Sequence, residues 1–414
     1  MDLCQAQVRE RPRPPVLQDR SVATLLPIMG VVLVAFLVIG FGMPVLPLHV
    51  HDGLGLGTVW VGLIAGSQFA AALITRPWAG HYSDRKGAKR AVVAGLGIAA
   101  ASGLLYLLSL HFVSTPLTSA SILLSGRLLL GGAESFIITG GVSWGLALVD
   151  ERDTGRVIAW VGAAMFAAFA LGAPIGAALN DAWGFAAIAL ATALVPLAAL
   201  VLALPLVGVV SSSQARAGFI GVLSTVWMPG LGSALSTVGF GAVTAFVTLL
   251  FAERGWSHGW LPYSVFAAAL ILARLAFGRL PDQLGGARVA LVCLLIEAVG
   301  QSLLWLADSP VLALLGAALT GIGFSLVYPG FGVEAMLRVP LQSRGLAVGA
   351  YTVFLDLALG VGGPALGLVA SSAGLPTVFL VGARGIGWRA HRAHAGGVTP
   401  MKRSFNHRRS KSNV

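Results

Sequence analysis

The chain is written as long apolar runs separated by short polar turns. A helix that crosses a bilayer needs about 20 mostly apolar residues. Eleven runs meet that length: 22–48, 58–80, 90–112, 118–149, 155–179, 183–209, 220–251, 260–280, 287–307, 311–337 and 344–371. A twelfth begins near Leu375 but stops at Arg384, too short to cross a hydrocarbon core that takes at least about 17 residues. The pattern predicts an all-α integral membrane protein. The stretch Ser211 to Gly218 reads as a linker after six helices. The expected organisation is an N-terminal segment 1–21, a first bundle 22–210, a linker 211–219, a second bundle 220–383 and a basic polar tail 384–414. That tail is unlike anything upstream, and a frameshifted or truncated last helix is the expectation for it.

The two bundles repeat one another. Residues 76–90 read RPWAGHYSDRKGAKR and residues 274–288 read RLAFGRLPDQLGGAR. Arg76, Gly80, Asp84, Gly87 and Arg90 match Arg274, Gly278, Asp282, Gly285 and Arg288 at an offset of 198. Gly131, Ser135, Gly155, Gly172 and Pro174 match Gly321, Ser325, Gly345, Gly362 and Pro364 at an offset of 190. The repeat therefore predicts six helices plus six, related by a pseudo-two-fold axis, the architecture of many secondary transporters.

Composition strengthens this picture. Of 414 residues 57% are hydrophobic and 10% charged, against roughly 25% charged in soluble domains. The 54 glycines suit helices that must approach closely in lipid. The net charge of +11 would suggest an anionic partner, but eight Lys/Arg lie in the last 31 residues without an acid among them. The charge thus reports a tail and short turns; no nucleic acid is expected as a partner. The tail is expected to be solvated or to touch anionic lipid headgroups. Cys4 and Cys293 offer neither a disulfide framework nor a metal site.

Turn charges set an orientation. Arg85, Lys86, Lys89 and Arg90, then Arg152 and Arg156, Arg216, Arg279 and Arg288, and Arg338 and Arg344 all fall on one side. The other side holds His49, His51, Asp52, His111, Asp181, Glu253, Arg254 and Asp308. The positive-inside rule then puts the N-terminus in the cytoplasm.

Polar residues inside apolar runs are the functional candidates, because an ionisable group in the membrane is costly. Arg127 and Glu134 share a helix face at i and i+7. Arg127 is suited to an anionic or hydroxyl-bearing solute and Glu134 to proton exchange; a structural ion pair is the alternative. Asp356 lies mid-span in the eleventh run, where a carboxyl that gains and loses a proton suits coupling. Gln68, Ser143, Trp144 and Tyr328 are cavity-lining candidates that serve equally as helix packing. Glu297 is the weakest, being expected at the periphery. GVSWG at 141–145 imitates a hydrolase elbow and GLGIAA at 95–100 a dinucleotide fingerprint. Both sit in membrane runs rather than in the strand–helix contexts that those chemistries need. His49, His51 and Asp52 could ligate a metal but are expected to be solvated, so neither a metal nor an enzyme activity is expected.

Gly80-x-x-x-Asp84-Arg85-x-Gly87-x-Lys89-Arg90 resembles the signature turn of the major facilitator superfamily, with a degenerate copy at Gly278–Arg288. Arg127-x-x-x-Gly131 is similar to that family's fourth-helix motif, and Gly172-Ala173-Pro174-Ile175-Gly176 to a loose form of its fifth-helix antiporter motif. The phrases SLVYPGFGVEA and YTVFLDLALGVGGP further resemble the YhhS/YfcJ-like branch, which lies near sugar and drug efflux permeases. The resemblance covers about residues 20–383. It implies the major-facilitator fold in a bacterial inner membrane, as a monomer without a cofactor. It also implies proton-coupled efflux of a small organic solute; facilitated uptake is the alternative, or a non-transporting remnant if the last helix is damaged. It further implies that Asp84, Arg85, Lys89, Arg90 and Asp282 gate the halves, that Gly80 and Gly87 allow close approach and a tight turn, and that Gly172, Pro174, Gly362 and Pro364 shape bends and packing. Asp84→Asn is then expected to cripple transport while leaving membrane insertion intact. Uptake or efflux assays beside immunodetection of the membrane fraction measure both, and wild-type transport in that variant would remove the gating role.

Overall fold

A computed structural model of the chain describes residues 15–149, 154–208, 219–339 and 344–384. The first fourteen residues, the linker from 209 to 218 and the tail beyond Arg384 lie outside the described residues. The described elements are helical. They run α1 (Pro15–Leu48), α2 (Thr58–Lys86), α3 (Ala88–Ser109), α4 (Pro116–Ala147), α5 (Thr154–Trp183) and α6 (Phe185–Ala203). The second half has α7 (Phe219–Glu253), α8 (Leu261–Phe277), a short α9 (Leu280–Leu284), α10 (Gly286–Trp305), α11 (Pro310–Leu337) and α12 (Arg344–Ala373). A last apolar helix, α13, covers Leu375–Arg384. Ten helices among the described residues are long and apolar enough to cross a membrane. Side chains such as Ile74, Trp78, Leu104, Trp183, Leu272 and Leu275 point outward and stay exposed, as lipid-facing residues do and a water-facing surface rarely tolerates.

Each expected span becomes a helix, and the differences at the ends have local causes. α1 starts at Pro15, where a proline at the first helical position sacrifices no hydrogen bond. α2 runs unbroken to Lys86 and turns at Gly87, whose φ of 98° is open to glycine at no steric cost. The corresponding stretch of the second half breaks. α8 ends at Phe277 and α9 resumes at Leu280 before Gly285 turns at φ 93°. Pro281 stands at the register position of Ser83, and a proline there cannot donate the bond that would continue the helix.

Packing repeats with the sequence. In the first half α1 packs on α5, α2 on α4 and α3 on α4; in the second α7 packs on α12, α8 on α11 and α10 on α11. The halves meet through α1 with α7 and through the paired contacts α2 with α12 and α5 with α8. Glycines set these distances. A Cβ on Gly131 would collide with the Gln68 carbonyl, and one on Gly321 with the Phe266 carbonyl. The two equivalent glycines thus fix α4 on α2 and α11 on α8 in the same way. Between the halves, Gly62 lies backbone to backbone with Gly363 and Gly66 with Gly360. Thr58 Oγ1 donates to the Gly367 carbonyl at 3.0 Å, and Tyr263 donates its hydroxyl to the Met43 carbonyl at 3.0 Å. These contacts draw the halves together on the side of the His51 turn.

Two expected packing glycines are corrected. A Cβ at Gly80 or at Gly362 would meet nothing within 4 Å, so neither permits a close helix approach. Gly172 does, lying against Gly40 of α1, and the close approach near Gly362 belongs to its neighbour Gly363. Pro174 and Pro364 lie within α5 and α12. Overpacking a filled site costs about 1–3 kcal/mol, whereas Gly→Ala in an open helix position gains up to about 1 kcal/mol. Gly131→Ala is therefore expected to lower the thermal unfolding midpoint of detergent-purified protein and Gly80→Ala to leave it unchanged or raised. Equal losses in the two variants would contradict this packing.

Candidate functional site

One ion pair ties the halves together in the membrane interior. Arg76 of α2 places Nη2 2.5 Å from Asp356 Oδ2 of α12, with only 18% and 7% of the two side chains exposed. The helix rise of 1.5 Å per residue puts Arg76 about 15 Å from the Lys86 end of α2 and Asp356 about 18 Å from the Arg344 end of α12. Arg76 Nε has no hydrogen-bond partner, so the pair is held through the single Nη2–Oδ2 contact.

Beside it lies the first bundle's own polar pair. Gln68 Nε2 donates to Glu134 Oε2 at 2.7 Å, joining α2 to α4 where Gly131 brings their backbones together. Gln68 Oε1 remains without a partner. Ser135 Oγ donates to the Ala72 carbonyl at 2.6 Å. Arg127 Nε donates to the Ile64 carbonyl at 3.4 Å, and its charge is also felt by Tyr106. Arg127 of α4 lines a small pocket otherwise formed by apolar and small residues of α1, α2, α7 and the turn after α1, among them Ile39, Met43, Phe69 and Thr244. The alternative weighed for Arg127 and Glu134, a structural ion pair, is not formed between them among the described residues. Glu134 instead sits in the field of Asp356, Arg76 and Arg127 together.

The second bundle adds a phenol and another arginine. Tyr328 shares a hydrogen bond with Thr352 at 3.0 Å, and Tyr351 donates to the Tyr328 carbonyl at 2.9 Å. Arg76, Asp356 and Arg274 all act on Tyr328. Arg274 donates to the Ser325 carbonyl through Nη2 at 2.9 Å and Nε at 3.3 Å, and its Cζ lies 5.5 Å from the centre of the Phe166 ring. Gln68, Glu134, Asp356 and Tyr328 thus converge on one interior region with Arg127 at its edge. Arg76 and Arg274, which the sequence marked only as repeat positions, complete it. The missed signal was the cost of a guanidinium within an apolar run: Arg76 needed a counter-charge, and the acid of its own helix, Asp84, stands about 12 Å further along the axis.

Other expected residues serve elsewhere. Lys89 Nζ donates to the Leu204 and Leu206 carbonyls, both at 2.6 Å. It caps the end of α6 within its own half, which corrects its expected gating role. Asp84 lies in the last turn of α2, and Arg85 and Arg90 are exposed. Asp282 falls in α9, its side chain outside the described residues. Trp144 is fully buried and donates to the Val207 carbonyl at 2.9 Å, a packing role. Glu297 is not peripheral: it is fully buried and accepts from Ser236 of α7. His49 stacks on Phe185 at 3.8 Å while His51 bonds Asp52 at 2.7 Å, so the three groups do not converge.

Two bundles joined by a mid-membrane ion pair define a solute carrier, and comparison with known proteins names its family. The chain belongs to the Major Facilitator Superfamily, whose family model matches residues 28–280 and 230–383. An uncharacterized MFS-type transporter of Pseudomonas aeruginosa is 43% identical over 373 residues, covering 89% of this chain and 93% of that one. One of Salmonella typhimurium is 40% identical over 370 residues, covering 89% and 95%. Among solved structures, a variant of the nucleoside transporter NupG aligns with a TM-score of 0.74 at 16% identity over 90% of this chain and 99% of that one. A D-xylose-proton symporter aligns with 0.70 at 14% identity over 89% and 97%; at such identities these two speak for the fold alone. The chain is a multi-pass membrane transporter and not an enzyme.

Removing one partner of a buried ion pair costs about 3–5 kcal/mol, while replacing both is often neutral. Arg76→Gln and Asp356→Asn are each expected to lower the unfolding midpoint, and the double variant to recover most of it. A double variant no more stable than the singles would show that the two charges act independently.

Proposed function

We propose that the chain carries a small organic solute out of the cytoplasm of a bacterium in exchange for protons. The two bundles rock about the Arg76–Asp356 level, in the inner membrane, with the N-terminus inside. The observation that carries this reading is the bridge itself: a titratable carboxyl in one half is the counter-charge of a permanent cation in the other. A proton arriving on Asp356 removes that counter-charge and weakens the tie between the halves. Glu134, one hydrogen bond from Gln68 and within the field of both charges, is placed to pass the proton or to hold it in turn. Because protonating one carboxyl changes how the other and the arginines are balanced, proton binding and solute binding are linked through the same charges, as coupling requires. The Gly62–Gly363 and Gly66–Gly360 approaches supply smooth backbone surfaces on which α2 and α12 separate and close. The antiporter-like Gly172–Gly176 stretch supports export; the protein works as a monomer without a cofactor.

Reconstitution tests the reading. In proteoliposomes holding a pH-sensitive dye, with an imposed pH gradient and a panel of sugars, nucleosides, aromatic acids and amphipathic drugs, at least one solute is expected to drive proton movement. Asp356→Asn is expected to abolish the proton movement while solute exchange persists. Solute flux with no proton movement in the parent protein would make it a facilitator instead, and no flux of any solute would remove the transport reading.

A further inference from the structure

The register of the two halves shows where the site is not symmetric. At the offset of 198, Gln68 corresponds to Phe266 and Arg76 to Arg274; at the offset of 190, Glu134 corresponds to Phe324 and Asp356 to Phe166. The structure honours this register. Where Gln68 bonds Glu134, the Phe266 and Phe324 rings lie 6.1 Å apart. Where Arg76 meets Asp356, Arg274 lies over Phe166. Phe166 and Phe240 both pack on Phe324, at 6.3 and 5.2 Å between ring centres. The same scaffold position is ionic on one side of the pseudo-two-fold and aromatic on the other.

This leaves a charge without a partner. Arginine stays protonated at any physiological pH, so Arg76, Arg127 and Arg274 bring three positive charges to the region. Glu134 and Asp356 are the carboxyls that face it, with Tyr328 a phenol. Even with both carboxyls ionised, one positive charge is unbalanced, and any proton taken up enlarges the excess. Arg76 has Asp356 within ion-pair distance; Arg127 and Arg274 have no carboxylate there among the described residues. Arg274 uses Nη2 and Nε on the Ser325 carbonyl, which leaves Nη1 unbonded. Nη1 faces α5, being the one atom beyond that helix's own backbone that a Cβ on Gly162 would meet within 4 Å, at 3.7 Å. An unpaired cation in a low-dielectric interior is costly, and a face of phenyl rings offsets only part of that.

We infer that the transported solute is an organic anion, its carboxylate or phosphate taken by the free Nη1 edge of Arg274 and its apolar body lying against Phe166 and Phe324. The anion supplies at Arg274 the charge that Asp356 supplies at Arg76. This assignment rests on the transport reading above and goes further by naming the solute's class.

The test uses matched ring compounds on the full-length protein purified in detergent, with thermal unfolding as the readout. Benzoate and phenyl phosphate are the anionic probes, one for each head group; benzyl alcohol and benzylamine are their neutral and cationic counterparts. At least one anion is expected to raise the unfolding midpoint saturably, and neither counterpart to do so. Arg274→Gln is expected to weaken that response roughly tenfold, as losing a charge-assisted hydrogen bond does, and Arg274→Lys to retain part of it. Phe166→Asp, which gives Arg274 the counter-charge that Arg76 already has, is expected to abolish anion binding while the variant still elutes as a single species. The comparison of probes on the unmodified protein stands even where a variant fails to fold. Equal stabilisation by benzyl alcohol or benzylamine overturns the assignment, as does silence towards both anions, or an undiminished response in Arg274→Gln. Proton-coupled flux of neutral solutes with no anion response would overturn the anion class alone. Anion binding without flux of any solute would instead overturn the transport reading.

Discussion

A guanidinium in the middle of a membrane needs a counter-charge, and in this protein the counter-charge comes from the other half of the molecule. Arg76 lies on α2 and Asp356 on α12, about two thirds of the chain's length apart in sequence. Much of the architecture serves that meeting. The glycines of α2 and α12 let the two backbones touch, so that Arg76, about three turns beyond Gly66, and Asp356, about one turn before Gly360, can reach each other. Gly131 presses α4 onto α2 and sets Glu134 beside Gln68 within the field of the pair. A bilayer interior magnifies the interaction because neither charge has water to fall back on. The bridge is therefore a tie between opposite charges across the interface that a single proton can undo.

The repeat explains why two halves can do different work on one scaffold. Backbone positions are conserved between the halves where geometry demands it: Gly87 and Gly285 at the turns, Gly131 and Gly321 at the crossings. Side chains diverge where chemistry happens. The ionic cluster around Gln68, Glu134, Arg76 and Asp356 has an aromatic image in Phe266, Phe324, Arg274 and Phe166. The image keeps the arginine and drops both carboxyls. Packed phenyl rings have no proton to gain or lose, whereas an ion pair with a carboxyl has; in the proposed cycle the first is a wall and the second a switch.

How much of this was legible in the sequence depended on whether the signal was local. Apolar runs disclosed the spans because a membrane helix carries its own hydrogen bonds and needs no partner to declare itself. The turn glycines were readable for the same reason. Asp356, Glu134, Gln68 and Tyr328 could be named as candidates because polarity in an apolar run is conspicuous. Their partners could not be named. Arg76 sat inside a recognised turn motif and was read as part of it, although it lies about three helical turns above that turn. Lys89 looked like a gating charge, yet its length lets it reach the end of α6 instead. Gly80 and Gly362 looked like packing glycines by motif, and only the positions of neighbouring helices reveal that they face open space. The break between α8 and α9 was readable from Pro281, but the strength of the repeat masked it.

That break bears on the division of labour. α2 continues as one helix from the Gly62 contact through Arg76 to the Asp84 turn, so a movement at the ion pair is carried rigidly to the membrane surface. α8 stops one turn past Arg274, and α9 begins separately. A displacement at Arg274 is therefore not transmitted along a continuous rod. The half that contributes Arg76 to the bridge is joined through an unbroken α2 to its charged turn, while the half that contributes Arg274 is separated from its own turn by the break between α8 and α9. The break at Pro281 thus accords with the roles proposed for the two arginines, Arg76 in moving the bundles and Arg274 in holding what they carry.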